Sequence, residues 1–120
     1  MKIAITSQGK SLDSIVDQRF GRASGFILFD TETKTDQYIE NTQNLNAAAG
    51  AGTQSAQTIA NSGAEVLITG NCGPKAFKAL SAAGIKIAIG ASGTVMESLE
   101  KFNNGQLQTI DSPNVEGHWQ

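Results

Sequence analysis

The chain has few of the residues that build covalent or metal-rich frameworks, with one cysteine, Cys72, and one histidine, His118, among 120 residues. A single cysteine excludes an internal disulfide framework. A conventional zinc or iron–sulfur site needs about four Cys or His ligands, so a zinc site or iron–sulfur cluster ligated entirely by this chain is excluded too. Only one tryptophan, one tyrosine and five phenylalanines are present, so Ile, Leu, Val and Ala must build most of the core.

Charge and long hydrophobic runs are also scarce. Charged residues make up 17% of the chain and the net charge is −2, so no basic surplus favours nucleic acid. No apolar run approaches the roughly eighteen residues of a membrane span, and MKIAITSQG is polar too early for a signal peptide. We therefore expect one cytoplasmic domain over residues 1–110, a flexible tail over 111–120, and neither a nucleic-acid nor a membrane partner.

The first forty residues predict an antiparallel meander. Residues 2–6 (KIAIT) and 26–30 (FILFD) are short apolar runs, and residues 36–40 (DQYIE) alternate as an edge strand does. Residues 41–53 are small and polar and predict a loop, of which residues 44–53 could open over a ligand or simply connect two elements.

The rest of the chain predicts alternating helices and strands. A helix running through Gln54 stops at Ser62-Gly63, and a second begins at Pro74 after the strand Val66-Leu67-Ile68. Residues 85–89 predict another strand, and Thr94 with Glu97 has the spacing of a capping box before a third helix. Residues 107–110 are a candidate for a short last strand. We expect an α/β fold with a mixed five-stranded sheet of order 3-2-1-4-5, strand 2 antiparallel and helices on both faces, as in ribonuclease H-like folds.

In that arrangement three small-residue turns meet at one edge of the sheet. Residues 7–9 (SQG), 70–73 (GNCG) and 90–93 (GASG) follow strands 1, 4 and 5, whose carboxyl ends share an edge. Glycine-turn amides and the helix N-termini at Pro74 and Thr94 would make this edge an anion site. The alternative is that the glycines only make tight turns. The candidate binding residues in these turns are Ser7, Gln8, Asn71, Cys72, Gly73, Ser92 and Gly93.

Cys72 has three possible roles: metal ligand, nucleophile or small packed side chain. A turn before a helix lowers the pKa of a thiol, whereas free cysteine is often buried and inert. His118 is the only histidine that could join Cys72 as a metal ligand, and the alternative is that it is solvated.

Two arginines flank a bend in DQRFGR. Arg19 and Arg22 could clamp an anion while Phe20 covers an apolar face of it. Alternatively, Phe20 belongs to the core and the arginines form surface pairs.

Nuclease chemistry is not expected at this edge. Two-metal nucleases need several carboxylates there, but the strand ends carry Thr6 and Thr69. Asp13 and Asp17 have no recognisable metal-ligand spacing.

The segments MKIAITSQG, DQRFGRA, ENTQNLNAAAGAGTQSA, GNCGPKAF and AIGASGTVMESLEKF resemble, in this order, the dinitrogenase iron–molybdenum cofactor biosynthesis family. The match covers about residues 1–110 and is most similar to the small stand-alone members, whose tails resemble PNVEGHW. It implies a ribonuclease H-like fold without nuclease activity. It also implies binding or carrying of a metal–sulfur cluster, of iron–sulfur or iron–molybdenum type in some members. In others the cluster is a molybdenum–copper sulfide held without ordinary covalent ligation. Nitrogenase-related members often carry loop histidines, and this chain has none before His118.

Three hypotheses follow. The first is a non-enzymatic protein that holds a labile, anionic metal–sulfur cluster through turn amides, Arg19, Arg22, Cys72 and His118, and exchanges it with a donor or acceptor protein. The second is a regulatory or adaptor domain that binds a protein or a small phosphorylated ligand at the same edge. The third is a thiol enzyme that uses Cys72, for which the sequence offers no base.

Overall fold

The computed structural model describes residues 1–41 and 51–114, which form a mixed α/β domain built on one six-stranded sheet of order β3-β2-β1-β4-β5-β6. The strands are β1 (Lys2–Ser7), β2 (Gly25–Asp30), β3 (Thr35–Glu40), β4 (Val66–Ile68), β5 (Lys86–Ile89) and β6 (Gln108–Ile110). The helices are α1 (Ala51–Asn61), α2 (Pro74–Ala82) and α3 (Val95–Asn103), with a 3₁₀ turn at Phe20–Arg22.

The predicted meander and parallel strands are confirmed. Strand β2 pairs antiparallel with β1 and β3, whereas β1 pairs parallel with β4, and β4 with β5. Ile5 lies between Ile27 of β2 and Ile68 of β4 in the register. Such β-branched residues favour a buried, pleated surface, which explains why β1 occupies the middle of the sheet.

The five-strand prediction is wrong by one strand. Strand β6 pairs antiparallel with β5, with Ile110 opposite Ile87, and extends the predicted order beyond β5. The loop prediction for residues 41–53 is also corrected at its end, because α1 already begins at Ala51. The rest of that loop, residues 42–50, lies outside the described residues.

Helices cover both faces of the sheet, as predicted. On one face Ala4 of β1 packs in a cluster with Ile59 of α1 and Leu80 of α2. On the other face Ile3 and Ile5 pack in a second cluster with residues of α3. Successive side chains of a strand point to opposite faces, so each neighbour in β1 serves a different core.

Among the described residues, no helix has both the length and the apolar character needed to cross a bilayer.

Candidate ligand-binding edge

The carboxyl ends of the parallel strands β1, β4 and β5 lie at the same edge of the sheet, and two of the turns after them are bonded to each other. The amide of Gly90 donates to the carbonyl of Gly70 at 3.2 Å, and the amide of Ala91 donates to that of Thr69 at 3.3 Å. The turns after β4 and β5 therefore form one continuous surface. We call the edge formed by residues 7–9, 70–73 and 90–93 the rim.

Residues 15–19 run across the rim and connect its first turn to its third. The amide of Gln8 donates to the carbonyl of Ile15 at 2.9 Å, and the amide of Val16 donates to the carbonyl of Gly93 at 2.9 Å. Asp17 and Thr6 share two hydrogen bonds. The Asp17 amide donates to the Thr6 carbonyl at 3.0 Å, and the Thr6 hydroxyl donates to the Asp17 carbonyl at 2.7 Å. This crossing segment fixes the spacing of the turns without regular secondary structure.

The crossing segment also fixes the middle turn. The Gln18 side chain donates to the carbonyl of Ala91 at 2.9 Å, and the Asn71 side chain donates to the carbonyl of Gln18 at 3.1 Å. Arg19 forms a parallel bridge with Asn71. A Cβ at Gly70 would lie 2.8 Å from the backbone of Gln18, so only glycine allows this close approach.

The N-terminus of α3 is closed by its own residues. Thr94 and Glu97 form the predicted capping box, with their two bonds at 3.0 and 3.1 Å. The amides of Val95 and Met96 donate to the carbonyls of Ser14 and Leu12. The Glu97 carboxylate also carries a negative charge here, and its bonds to Thr94 lower its pKa. The expectation that both helix N-termini serve the rim is therefore corrected, since α3 has no amide left in its first turn for an anion.

The turn before α2 has a different arrangement. Its N-cap residue, Gly73, has no side chain that could accept from the first turn, and Pro74 follows it. The amide of Cys72 instead donates to the side-chain oxygen of Asn114 at 2.7 Å. The amide that precedes α2 is thus satisfied by a side chain from beyond β6.

The Cys72 thiol lies inside the domain. Its side chain has no solvent-exposed area and packs in the same core cluster as Phe20 and Leu80. Its sulfur lies 3.8 Å from the carbonyl oxygen of Gly73. Burial disfavours the charged thiolate and raises the pKa of Cys72 to about 12. In this conformation the thiol is a small packed side chain, one of the three roles considered above.

In the bend that carries the two arginines, the charged side chains lie at the surface and the aromatic side chain lies in the core. Arg19 and Arg22 are exposed, whereas Phe20 is 1% exposed and its ring lies 5.7 Å from that of Phe26. A buried hydrogen bond fixes the chain just after the bend: the Asn41 side chain donates to the carbonyl of Ala23 at 2.9 Å. The arginines therefore project from a turn that is anchored to the core.

The remaining predicted residues are distributed over the rim. Ser7 is buried and its hydroxyl donates to the carbonyl of Gly9 at 2.6 Å, whereas Gln8, Ser92 and Gly93 are exposed. His118 lies outside the described residues.

Three residues that bond to the rim were missed by the sequence prediction. Gln18 and Asn114 bond the turns, and Lys101 of α3 donates to the Ser92 hydroxyl at 3.2 Å. Gln18 lies next to Arg19 in the DQRFGR segment, but the local sequence gives no signal for Asn114 or Lys101.

The described part of the chain holds no group of three or more His, Cys, Asp or Glu side chains placed to bind one metal ion. The donors near the rim are backbone amides, side-chain amides and cationic side chains. This set suits an anion better than a bare metal cation.

Comparison with known proteins identifies the family. The sequence model of the family described as dinitrogenase iron-molybdenum cofactor matches residues 1–105. The chain is similar to the apo form of the orange protein from Desulfovibrio gigas, with 45% identity, a TM-score of 0.89 and coverage of 95% of this chain and 96% of that one. It is similar to a proposed NifB protein from Thermotoga of the DUF35 family, with 40% identity, a TM-score of 0.82 and coverage of 97% and 98%. An uncharacterised protein of Methanocaldococcus jannaschii is 32% identical over 114 residues, which is 92% of each chain.

These matches span nearly the whole chain and confirm the family resemblance of its segments. The chain therefore belongs to the dinitrogenase iron–molybdenum cofactor family.

Proposed function

We propose that this protein is a non-enzymatic carrier of an anionic metal–sulfur cluster, of molybdenum–copper or iron–(molybdenum)–sulfur type, bound at the rim. One observation carries the proposal: the crossing segment brings Arg19 beside Asn71, at the edge where the ends of three parallel strands meet. Ligands of α/β proteins bind at such edges. Membership of the family supports a cofactor-related cargo.

The donor set supports an anion that brings its own metal–sulfur bonds. Each guanidinium offers several N–H donors, and a charge-assisted hydrogen bond is roughly twice as strong as a neutral one. Arg19 and Arg22 carry the positive charge, with Lys101 near Ser92. A cluster held by charge and hydrogen bonds dissociates more readily than one held by thiolates, so we expect the cargo to be labile.

The roles of single residues are part of the proposal. Gln8, Ser92 and Gly93 are exposed and would contact the cargo directly, while Phe20 and Ser7 would support the rim from below. Cys72 and His118 stay predicted metal ligands. Cys72 would reach a metal only after residues 70–73 rearrange, since its thiol is buried. A carrier also needs a protein that delivers the cluster or receives it.

The proposal is tested by purifying the protein from its native host without oxygen, followed by metal and sulfide analysis. We expect molybdenum or iron together with acid-labile sulfide, and loss of both in air. A product free of metal and sulfide that also fails to bind tetrathiomolybdate would contradict the proposal. If nucleotides raise the melting temperature while thiometallates do not, the rim serves a regulatory domain instead.

A further inference from the structure

Asn114 makes three hydrogen bonds to the turn before α2. Its side-chain oxygen accepts from the Cys72 amide at 2.7 Å, and its side-chain nitrogen donates to the Asn71 side-chain oxygen at 3.1 Å. Its own amide donates to the Cys72 carbonyl at 3.2 Å. Asn114 lies 42 residues further along the chain than Cys72, just beyond the edge strand β6.

The bond from the Cys72 amide is the shortest of the three and involves the group that an anion would seek. An amide ahead of a helix N-terminus carries partial positive charge, and the carbonyl oxygen of an asparagine carries partial negative charge. Asn114 therefore places on the rim the kind of atom that an anionic ligand would place there.

The contact is built so that it can open. Asn114 is exposed and Asn71 is half-buried, so water can replace either partner. Both side-chain bonds are neutral, and neutral bonds contribute less than bonds to charged groups. A sulfide or oxide of a negatively charged cluster would make the stronger, charge-assisted bond to the same amide.

We propose that Asn114 determines the affinity of the rim for its cargo: it occupies the Cys72 amide in the cargo-free protein and leaves it when an anionic cluster binds. This inference rests on the proposed function. It adds a specific competitor, encoded in the same chain, for one of the donors that the cargo would use.

The experiment compares Asn114→Ala and Asn114→Asp in titrations of the full chain with tetrathiomolybdate, followed by absorbance. Alanine frees the amide, so we expect the dissociation constant to fall by about 2- to 12-fold, the value of one neutral hydrogen bond. Aspartate keeps an acceptor on the Cys72 amide and adds a negative charge, so we expect the dissociation constant to rise by about tenfold or more. If Asn114 only supported the structure of the rim, both variants would bind tetrathiomolybdate more weakly than the wild type, and this result would contradict the competition.

Ser112→Asp is the matched control, because it adds the same charge two residues away on an exposed position. We expect its dissociation constant to stay within about twofold of the wild type. Thermal melting checks that each variant is folded.

Hydrogen exchange of the Cys72 amide gives a readout that needs no ligand. We expect this amide to exchange faster in Asn114→Ala than in the wild type, and unchanged in a Ser112→Ala control. Wild-type affinity in both Asn114 variants, or an unaltered exchange rate, would overturn the inference and leave the carrier function standing. Failure of the wild type to bind any thiometallate would overturn the carrier function and the competition together.

Discussion

Cys72 shows how burial decides the chemistry of one side chain. The sequence places the only cysteine in a turn before a helix, where thiols are often reactive. The fold instead packs it among Phe20 and Leu80, where no water reaches it and its pKa rises to about 12. The turn geometry was predictable from GNCGPKAF, but the direction in which the thiol points depends on residues far away in sequence.

The native thiol should therefore resist labelling. At pH 8 we expect Cys72 to react with Ellman's reagent only after the protein is unfolded in guanidinium, because the native thiol is both buried and protonated. The same protein in guanidinium is the control and should release one equivalent of dye at once. Rapid, stoichiometric labelling of the native protein would contradict this placement.

The raised pKa also makes a prediction about alkaline stability. The folded thiol keeps its proton up to about pH 12, whereas the unfolded thiol loses it near pH 9.0. Between these values the unfolded state binds fewer protons, so the free energy of unfolding falls as the pH rises, by up to about 1.4 kcal/mol per pH unit. Measured by urea unfolding, the fall in the free energy of unfolding between pH 9 and 11 should be smaller in Cys72→Ala than in the wild type. Equal pH slopes in the two proteins would contradict it.

Gly70 tests the close approach of the crossing segment. A Cβ there would lie 2.8 Å from the backbone of Gln18, so Gly70→Ala must push the segment away at a cost of about 1–3 kcal/mol in unfolding free energy. Gly9→Ala is the control, since its Cβ would meet the Ser14 side chain and no backbone atom: the hydroxyl at 2.5 Å can rotate away, and the Ser14 Cβ lies at 3.1 Å. Equal stability of the two variants in urea unfolding would show that the approach is less tight than described.

At the scale of elements, the two helices that begin near the rim differ in what covers their first turns. The capping box of α3 was predicted from Thr94 and Glu97 and is confirmed. Its consequence was not predicted: the closed terminus removes the first-turn amides of α3 from the candidate anion site. The cap of the turn before α2 comes from Asn114, which no local pattern could indicate.

Thr94→Ala separates stability from binding. Loss of the cap should lower the unfolding free energy by about 1 kcal/mol. Because the α3 terminus is filled by Glu97 in the wild type, we expect the affinity for tetrathiomolybdate to change by less than about twofold. Melting and titration of the same preparation check both parts, and a large drop in affinity would return the N-terminus of α3 to the site.

Edge elements were the hardest part of the sheet to predict. Strand β6 has only three residues, and of these only Ile110 is half-buried, so alternation of polar and apolar residues gives only the weak signal that made residues 107–110 a candidate strand. Its pairing partner, β5, was predictable because IKIAI is a continuous apolar run.

At the scale of the whole molecule, the order of the first five strands and the meeting of three strand ends followed from the sequence, because buried parallel strands and helix boundaries have strong local signals. The crossing segment did not, since residues 15–19 form isolated bridges rather than a strand or helix. The candidate site was therefore predictable as a place, at the carboxyl edge of the sheet. Which groups remain open at that place depends on side-chain contacts that only the folded chain reveals.

The most direct measurement is the affinity of the cargo-free protein for tetrathiomolybdate in the wild type and in Arg19→Ala/Arg22→Ala. Lys34→Ala/Lys86→Ala is the matched control, because it removes the same charge from two exposed residues at the opposite edge of the sheet. We expect saturable binding by the wild type and the control, and at least tenfold weaker binding by the arginine variant, with all affinities falling as salt rises. No saturable binding by the wild type, or equal affinities in all three proteins, would contradict a rim that holds an anionic metal–sulfur cluster.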